Sequence, residues 1–323
     1  MSSFETYHLR VTMQVQSPVE LDAYKGSAIR GALINALRRH YCTAPALPAV
    51  RREWQEHVPT CPACRLVAAE DASRARGQDL PRAYVIEPPL STRTRYEPGE
   101  ELAFGVGLFS DAISLYPYLL SALSLMGGEG LGRRLRENGG ERGRLVLRRV
   151  DAYNPLTRER MALMGEQGSA VPSSPALPVT HELVQQEARR WPTDRLTLRF
   201  LTPTRITDGG RLVRKAEFRP FFARLLGRIA DLWQAYGRDM PEIDFAGLTG
   251  AAEAVAVVSD ETVWTDPFSR SGRTGRRVPI GGYVGTATYR GDFVPLLPWL
   301  LWGQCVHVGK NAVKGNGWYE LLP

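Results

Sequence analysis

Cysteine is scarce in this sequence: only four of the 323 residues are cysteine, too few for the disulfide framework of a small secreted protein. Long apolar runs are missing as well, since no stretch approaches the roughly 18 apolar residues that span a bilayer. Residues 1–16 lack the basic segment and apolar core of a secretory signal. These absences predict a cytoplasmic protein with reduced thiols and no membrane segment.

Acidic side chains are outnumbered, because 41 lysines and arginines face 34 aspartates and glutamates, for a formal net charge of +7. The arginines concentrate in three glycine-containing segments, 127–149, 204–219 and 269–277. A basic segment is often only a solvated face. Glycine, however, lets the backbone approach closely, and guanidinium groups suit phosphate oxygens. We therefore predict a polyanionic ligand, and the candidate contacts are Arg133, Arg134, Arg214, Lys215, Arg270, Arg273, Arg276 and Arg277.

The N-terminal half alternates between strand-like and helix-like patterns. Residues 7–16 alternate apolar and polar side chains, which is typical of a half-buried strand. Residues 26–41 carry apolar side chains at helical spacing. In the order strand, helix, strand, strand, helix, strand, the predicted elements are 7–16, 26–41, 82–89, 101–109, 112–128 and 143–153.

The same order of elements occurs again in the C-terminal half. The predicted elements there are 194–206, 218–237, 252–264, 283–291, 293–310 and 317–323. Two successive βαββαβ units predict an α+β protein of two tandem ferredoxin-like domains, a fold related to the RNA-recognition motif. We place the domains at 1–155, with an insertion at 42–80, and at 193–323, joined by a linker at 156–192. We expect the last strand to lie centrally in its sheet.

A glycine-rich loop, residues 307–317, precedes the last predicted strand. Gly309, Gly315 and Gly317 can adopt positive φ and leave no Cβ in the way, so that backbone amides can face a phosphate. Lys310 and Lys314 add positive charge. The loop is not a Walker phosphate loop, because its Gly-Lys pair leads the segment and no Ser or Thr follows the lysine. We predict a loop that binds RNA, with a plain tight turn as the alternative.

The C-terminal part of the sequence resembles a known family. A Gly-Gly-x-x-Gly strand with Gly281, Gly282 and Gly285 is followed by a short helix, a His-Val-Gly-Lys loop ending in Gly-x-Gly, and an aromatic strand. This order is similar to that of the CRISPR-associated RAMP endoribonucleases, which cut precursor CRISPR RNA within its repeats. Further similar segments, which extend the resemblance over nearly the whole chain, are 30–42, 127–144 and 201–237.

The resemblance implies an activity: metal-independent cleavage of CRISPR repeat RNA to give guide RNA that stays bound. The ribose 2′-OH attacks the adjacent phosphorus and leaves a cyclic phosphate, which requires a base, an acid and cations but no cofactor. The family commonly places a histidine near the end of the first helix and a tyrosine earlier, which implies His40 and Tyr24. The basic residues close to them are Lys25, Arg38 and Arg39. His307 is the rival catalytic residue, and either histidine could instead serve packing.

The resemblance also implies partners. We expect CRISPR repeat RNA and crRNA as ligands and other subunits of a CRISPR effector complex as protein partners. The alternative function is a non-catalytic RAMP subunit that binds guide RNA in such a complex, although two tandem domains favour the processing enzyme. A nucleotide-dependent enzyme would require an acidic metal-binding cluster near a phosphate loop, and the sequence contains none.

A structural zinc site is a further hypothesis. Cys61 and Cys64 form a C-x-x-C pair, His57 lies four residues before it, and Cys42 lies upstream. Together these residues can form a Cys3His tetrahedron, although related proteins often carry four cysteines after the first helix. The alternative is a set of reduced thiols in the insertion.

Overall fold

The structure, a computed structural model, describes residues 4–44, 51–67, 81–165, 175–270 and 277–322. The chain divides into two compact units. The N-terminal unit comprises Tyr7–Asn154 and Glu159–Pro178, and the C-terminal unit comprises Met1–Thr6, Pro155–Arg158 and Val179–Pro323. Both units combine helices with antiparallel sheets, which confirms the predicted α+β class.

The N-terminal unit is built on one five-stranded antiparallel sheet in the order β3-β5-β1-β8-β9. Two-stranded pairs, β2 with β4 and β6 with β7, accompany it. The elements are β1 (Thr6–Val15), β2 (Val19–Glu20), α1 (Gly26–Tyr41), α2 (Arg51–Thr60), α3 (Pro62–Val67), β3 (Tyr84–Glu87), β4 (Arg95–Tyr96), β5 (Glu101–Phe109), α4 (Tyr116–Glu129), β6 (Leu131–Leu135), β7 (Glu141–Gly143), β8 (Leu145–Tyr153) and β9 (Arg160–Met164).

One face of this sheet carries the core of the unit. Leu9, Val11, Met13 and Val15 alternate along β1 and are fully buried, as the sequence pattern predicts. Helix α4 lies very close to this face, because a Cβ on Gly127 would come within 2.4 Å of the Leu145 carbonyl oxygen and 2.8 Å of the Met13 methyl carbon. Helix α1 packs beside α4. The close approach fixes the position of the C-terminal end of α4.

The C-terminal unit contains a second antiparallel sheet with the main order β13-β17-β10-β18, in which β14 also pairs with β17. The elements are α5 (His181–Ala188), β10 (Arg195–Thr204), β11 (Ile206–Asp208), β12 (Arg211–Val213), α6 (Phe218–Tyr236), α7 (Phe245–Glu253), β13 (Ala256–Asp260), β14 (Val263–Thr265), β15 (Phe268–Arg270), β16 (Arg277–Pro279), β17 (Gly282–Arg290), α8 (Leu297–Val306) and β18 (Tyr319–Leu322). Among the described residues, no helix combines the length and apolar character needed to cross a membrane.

The two sheets share one topology. When the strands of each βαββαβ unit are numbered from one to four, both sheets have the order two, three, one, four. This order confirms two tandem ferredoxin-like domains. Aromatic side chains fill the C-terminal core, where the ring of Phe200 on β10 lies 4.9 Å from that of Tyr283 and 5.4 Å from that of Phe221.

The expectation that the last strand is central is wrong. Among the described residues, β18 pairs only with β10, in a register that sets Thr197 opposite Leu322, and therefore lies at the edge. The fourth strand of this topology adds outside the first strand. The edge is still held in place, because the Leu321 amide donates to Gln304 Oε1 at 3.0 Å and the Tyr319 hydroxyl donates to the Leu300 carbonyl at 2.7 Å.

Two segments differ from the predicted elements. The segment assigned to the linker, 156–192, contains β9, which extends the first sheet by pairing with β8, and also α5. The strand predicted at 252–264 starts later, because α7 occupies the chain up to Glu253. Asp244 caps α7 by accepting a hydrogen bond from the Gly247 amide at 2.8 Å. Neither β9 nor this cap was recognised in the sequence.

Candidate functional site

His40 lies at the exposed C-terminal end of α1 in a defined hydrogen-bond network. Its Nε2 is 2.9 Å from Oε1 of Glu129, the last residue of α4, and Arg39 Nη1 is 3.1 Å from the same oxygen. The His40 side chain is 36% exposed. A carboxylate on one ring nitrogen holds the imidazole in one tautomer, so that Nδ1 can accept a proton from a ligand. Sequence reasoning missed Glu129, which lies 89 residues from His40 along the chain.

Tyr24 is not part of this network. It precedes α1, whereas His40 lies in the last turn of the same uninterrupted helix. Sixteen residues at about 1.5 Å per residue separate the two by roughly 24 Å. The structure therefore does not bring Tyr24 to a site built on His40. The adjacent Lys25 is buried, and its Nζ donates to the carbonyls of Ala23 at 3.1 Å and Ser91 at 2.5 Å.

His307 packs the base of the glycine-rich loop. Its side chain is fully buried, and its ring stacks on Trp318 with centroids 5.9 Å apart and an interplanar angle of 15°. The residue ends α8 with a φ of 61°, an uncommon backbone conformation for a side chain other than glycine. The structure thus places His307 in the interior of the C-terminal unit, away from solvent.

The glycine-rich loop is fastened to the end of β10. The Lys310 amide donates to the Arg205 carbonyl and the Gly317 amide to the Pro203 carbonyl, both at 3.1 Å. The amides of Lys314 and Gly315 donate within the loop itself. The amides of Gly315 and Gly317 are therefore engaged with protein carbonyls, which corrects the expectation that they face a phosphate, whereas for the Gly309 amide that expectation stays a prediction. Its hydrogen bonds to Pro203 and Arg205 hold the loop at the end of β10, and the Lys310 side chain is exposed.

Gly317 is required by this geometry. Its φ is +69°, and a Cβ at this position would lie 1.8 Å from the Val308 carbonyl oxygen. We expect Gly317→Ala to lower the free energy of unfolding by roughly 2–5 kcal/mol, the sum of a left-handed backbone penalty and overpacking. Urea unfolding monitored by tryptophan fluorescence measures this change.

The matched control is Gly227→Ala inside α6, where a Cβ meets no atom within 4 Å. This change should stabilise the protein by about 0.5–1 kcal/mol, because alanine favours a helix interior. Equal unfolding energies for the two variants would contradict a loop held by close contact at Gly317.

A tryptophan flanked by two arginines lies near this loop. The guanidinium carbon of Arg214 lies 4.9 Å from the centre of the Trp264 ring, and that of Arg205 lies 5.8 Å from it. Arg205 also donates to the Gly281 carbonyl at 3.3 Å. Arg214 and Lys215 are exposed, as expected for RNA contacts. Trp264 was not identified from the sequence, although aromatic rings beside arginines suit nucleobases.

The predicted RNA contacts of the N-terminal unit are paired with carboxylates. Arg133 lies 2.7 Å from Glu20 and 2.8 Å from Asp22, and Arg134 lies 3.0 Å from Glu141. Exposed ion pairs of this kind contribute only about 0–1 kcal/mol, so a phosphate can replace the carboxylates. Whether these arginines bind RNA stays a prediction.

Two of the remaining basic candidates, Arg270 and Arg277, belong to the paired strands β15 and β16. Arg270, the last residue of β15, pairs with Arg277, the first residue of β16. Arg273 and Arg276, predicted as RNA contacts, lie outside the described residues.

The four predicted zinc ligands come together at the end of α1. Cys42 follows α1, His57 lies in α2, Cys61 directly precedes α3, and Cys64 lies within α3. Their ligand atoms all lie within 4.8 Å of one another. Cys42 Sγ is 3.8 Å from Cys64 Sγ and 3.4 Å from His57 Nε2. A tetrahedral zinc ion with Zn–S bonds of about 2.3 Å would set its sulfur ligands about 3.8 Å apart.

The chemistry of this cluster also suits a cation. Cys61 and Cys64 are fully buried. Burial raises the pKa of Cys64, and the neighbouring Cys61 and Cys42 thiols raise it further. At Cys61, burial also acts to raise the pKa, but hydrogen bonds from the backbone of Cys64 and Thr43 lower it overall. A divalent cation among the thiols would favour their thiolate forms. The donor set and its spacing therefore fit zinc.

Two ferredoxin-like units, one of them carrying a glycine-rich loop, define the architecture of a RAMP protein. The family model AF_1859_N, which describes an N-terminal domain, matches residues 4–176. The family model described as CRISPR-associated endoribonuclease Cas6 matches residues 198–319. The chain belongs to the Cas6-type family of CRISPR-associated RAMP proteins.

Solved structures share the fold. Thermus thermophilus Cas6 (TTHB231) is 18% identical, with a TM-score of 0.56 over 100% of each chain, and its product complex matches at the same identity and TM-score. A Cas6-RT-Cas1–Cas2 complex is 15% identical, with a TM-score of 0.60 over 99% of this chain. This chain spans only 46% of the length of the matched chain in that complex. A search of curated proteins found no match.

Proposed function

We propose that this protein is an endoribonuclease that cleaves CRISPR repeat RNA and retains the product. The observation that carries the proposal is the His40–Glu129 pair, an oriented imidazole at the solvent-exposed end of a helix in a Cas6-type chain. The Thermus relative was solved as a product complex, which supports retention of cleaved RNA.

The proposed reaction requires no metal ion. His40 Nδ1 takes the proton of a ribose 2′-OH, and the 2′ oxygen forms a bond to the adjacent phosphorus. The bond from phosphorus to the 5′ oxygen breaks, and that oxygen receives a proton from an acid or from water. The products are a 2′,3′-cyclic phosphate and a 5′-hydroxyl. Arginine and lysine side chains stabilise the charge on the phosphorane.

A cleavage assay tests the proposal. Labelled repeat RNA from the host of this protein should be cut at one position with EDTA present. Zinc analysis after the assay should show that EDTA left the metal content of the protein unchanged. A 2′-deoxy substitution at the nucleotide before the cut should abolish cleavage without weakening binding, because only the nucleophile is removed. Tight binding of unmodified repeat RNA without any cleavage would indicate the non-catalytic guide-RNA subunit instead.

The same proposal includes protein partners. A similar solved structure is a Cas6-RT-Cas1–Cas2 complex, which supports association of this protein with other CRISPR proteins. Co-purification with the CRISPR proteins of its host, before and after ribonuclease treatment, separates direct association from association through RNA.

Loss of the loop lysines should weaken RNA binding. We expect the double change Lys310→Ala and Lys314→Ala to lower affinity for repeat RNA several-fold, because fewer phosphates are neutralised. The slope of log affinity against log salt should fall by about 0.7–0.9 for each lost phosphate contact. Filter binding across a range of salt concentrations gives both quantities.

The charge-matched control is Arg189→Ala with Arg190→Ala, which removes two exposed cations from the end of α5. This control should leave the salt slope unchanged. A slope that falls equally in both double variants would mean that net charge, and not the glycine-rich loop, determines binding.

We also propose that Cys42, His57, Cys61 and Cys64 hold one structural zinc ion. Its role would be to join the end of α1 to α2 and α3, since the four ligands come from these elements and their flanking residues.

A further inference from the structure

Trp264 and the two arginines beside it form a small cluster within the C-terminal unit. Trp264 is the central residue of β14, opposite Tyr283 of β17, and its side chain is half-buried. The guanidinium carbons of Arg214 and Arg205 lie 4.9 Å and 5.8 Å from the centre of its ring. The indole Nε1–H donates to Asp266 Oδ1 at 2.7 Å, which fixes the orientation of the ring. We call Trp264, Arg205 and Arg214 the Trp264–arginine cluster.

The protein does not neutralise the charges of this cluster. Within the described residues, neither Arg205 nor Arg214 forms an ion pair with a carboxylate. Arg211, three residues before Arg214, shows the contrast, because its Nη2 lies 2.7 Å from Glu217 Oε2. An arginine that is held against an aromatic ring, without a carboxylate, keeps its full charge and its N–H donors for a ligand. Such a pair of arginines indicates an anionic ligand.

Arg205 connects the cluster to the glycine-rich loop. Its carbonyl accepts from the Lys310 amide at 3.1 Å, and a Cβ on Gly309 would lie 2.5 Å from the same oxygen. Its side chain donates from Nη1 to the Gly281 carbonyl at 3.3 Å. The backbone of Arg205 therefore contacts the loop, whereas its guanidinium group contacts the tryptophan ring. The exposed Lys310 and Trp264 thus belong to one continuous part of the C-terminal unit.

We propose that the Trp264–arginine cluster binds one unpaired nucleotide of the RNA, with the nucleobase stacked on the Trp264 ring and the arginines on the flanking phosphates. The inference rests on the proposed function, because RNA supplies the nucleotide, and it adds a residue that contacts a base. Arg214 is exposed and makes no hydrogen bond in the part of the chain that the structure describes, so it can leave the ring when the base arrives. A nucleobase stacks on an aromatic ring more strongly than an exposed cation does, which favours this exchange.

The site selects RNA structure and not RNA sequence. A base inside a duplex is covered on both faces by its neighbours, whereas a base in a loop or at an end can turn outward and stack on an aromatic side chain. Every base has such a face, so the ring accepts any of the four. The cluster therefore determines which unpaired nucleotide lies beside the glycine-rich loop.

Binding of a short oligouridylate to the intact protein at fixed salt tests the site itself. Trp264→Ala should weaken binding by roughly 5–150-fold, the loss of one stacked base. Trp264→Phe should retain most of the affinity, because a benzene ring also stacks. The matched control is Trp191→Ala, since Trp191 is half-buried and, within the described residues, contacts no arginine through its ring. This control should leave the affinity unchanged.

The phosphate contacts are tested by the salt dependence of the same binding. Arg214→Gln should lower the slope of log affinity against log salt by about 0.7 for a lost contact to a single strand. Arg211→Gln is the matched control, because Arg211 already donates to both carboxylate oxygens of Glu217, at 2.8 Å and 2.7 Å. It should leave the slope unchanged, and an equal fall in both variants would overturn the assignment of Arg214.

Repeat RNA with one abasic nucleotide, placed in turn at each unpaired position, separates stacking from a structural role. At one position the abasic change should weaken binding to the wild-type protein about as much as Trp264→Ala does, and it should have no further effect on Trp264→Ala protein.

The proposal is overturned if the protein binds no single-stranded RNA, if Trp264→Ala binds RNA as the wild type does, or if Trp264→Phe weakens binding as much as Trp264→Ala. Losses that add at every abasic position would overturn it as well. A wild-type protein that shows the expected pattern but never cleaves RNA would refute the proposed nuclease function and leave the base-stacking site intact.

Discussion

Replacing His40 with alanine is expected to slow single-turnover cleavage of repeat RNA by roughly 10²–10⁴-fold, the usual contribution of general acid–base catalysis. RNA affinity should change little, because one neutral imidazole adds little to phosphate binding. The structural reason is the position of the ring, which Glu129 orients by a 2.9 Å hydrogen bond while the side chain stays exposed. Rapid-quench cleavage with protein in excess measures the rate.

Two further substitutions test the assignment. Glu129→Gln keeps an acceptor for the imidazole but removes its charge, so we expect a smaller loss of rate than with His40→Ala. His307→Ala should lower stability, because a fully buried ring that stacks on Trp318 is lost. If folded His40→Ala protein cleaves at the wild-type rate and folded His307→Ala protein does not cleave, His307 and not His40 is the catalytic histidine.

Changing Cys64 to serine is expected to remove the metal from a protein that otherwise carries about one zinc ion per chain. The loss should lower the unfolding free energy by about 4 kcal/mol when free zinc exceeds its dissociation constant a thousandfold. The zinc content of protein never exposed to chelator, measured by elemental mass spectrometry, and the unfolding midpoint are the two observables. Cleavage should also slow, because Cys42 follows His40 by two residues and the end of α1 would be released.

Cys305→Ala is the matched control, since Cys305 is a buried cysteine of α8 outside the cluster. It should leave the zinc content unchanged and lower stability only slightly. A zinc content far below one per chain in the wild-type protein would refute the metal site without affecting the nuclease proposal.

Local patterns in the sequence determined most of the architecture. The alternation of Leu9, Val11 and Met13 predicts β1 with its buried face, because successive side chains of a strand point to opposite sides. The apolar spacing and terminal Gly237 predict α6 within one residue of its observed end. The strand predicted at 252–264 began too early, because a capped helix and a strand both fit a short apolar run and α7 ends only at Glu253.

Pairings between distant residues were decided only by the tertiary structure. No local pattern links His40 to Glu129, or sets Trp264 between Arg205 and Arg214, because helix packing and strand order bring these side chains together. The cysteine spacing did predict the cluster at Cys42 and Cys64, since cysteine chemistry restricts the possible ligands.

The sequence by itself determined the kinds of residue available to the site: histidines, basic loops, glycines with free backbone geometry and a cysteine pair. The tertiary structure decided which of them can meet a ligand. It buried His307, separated Tyr24 from His40 by the length of α1, and paired Arg133 with carboxylates. The reason is physical, because side-chain type follows from sequence, whereas burial and charge neutralisation depend on neighbours that only folding brings into contact.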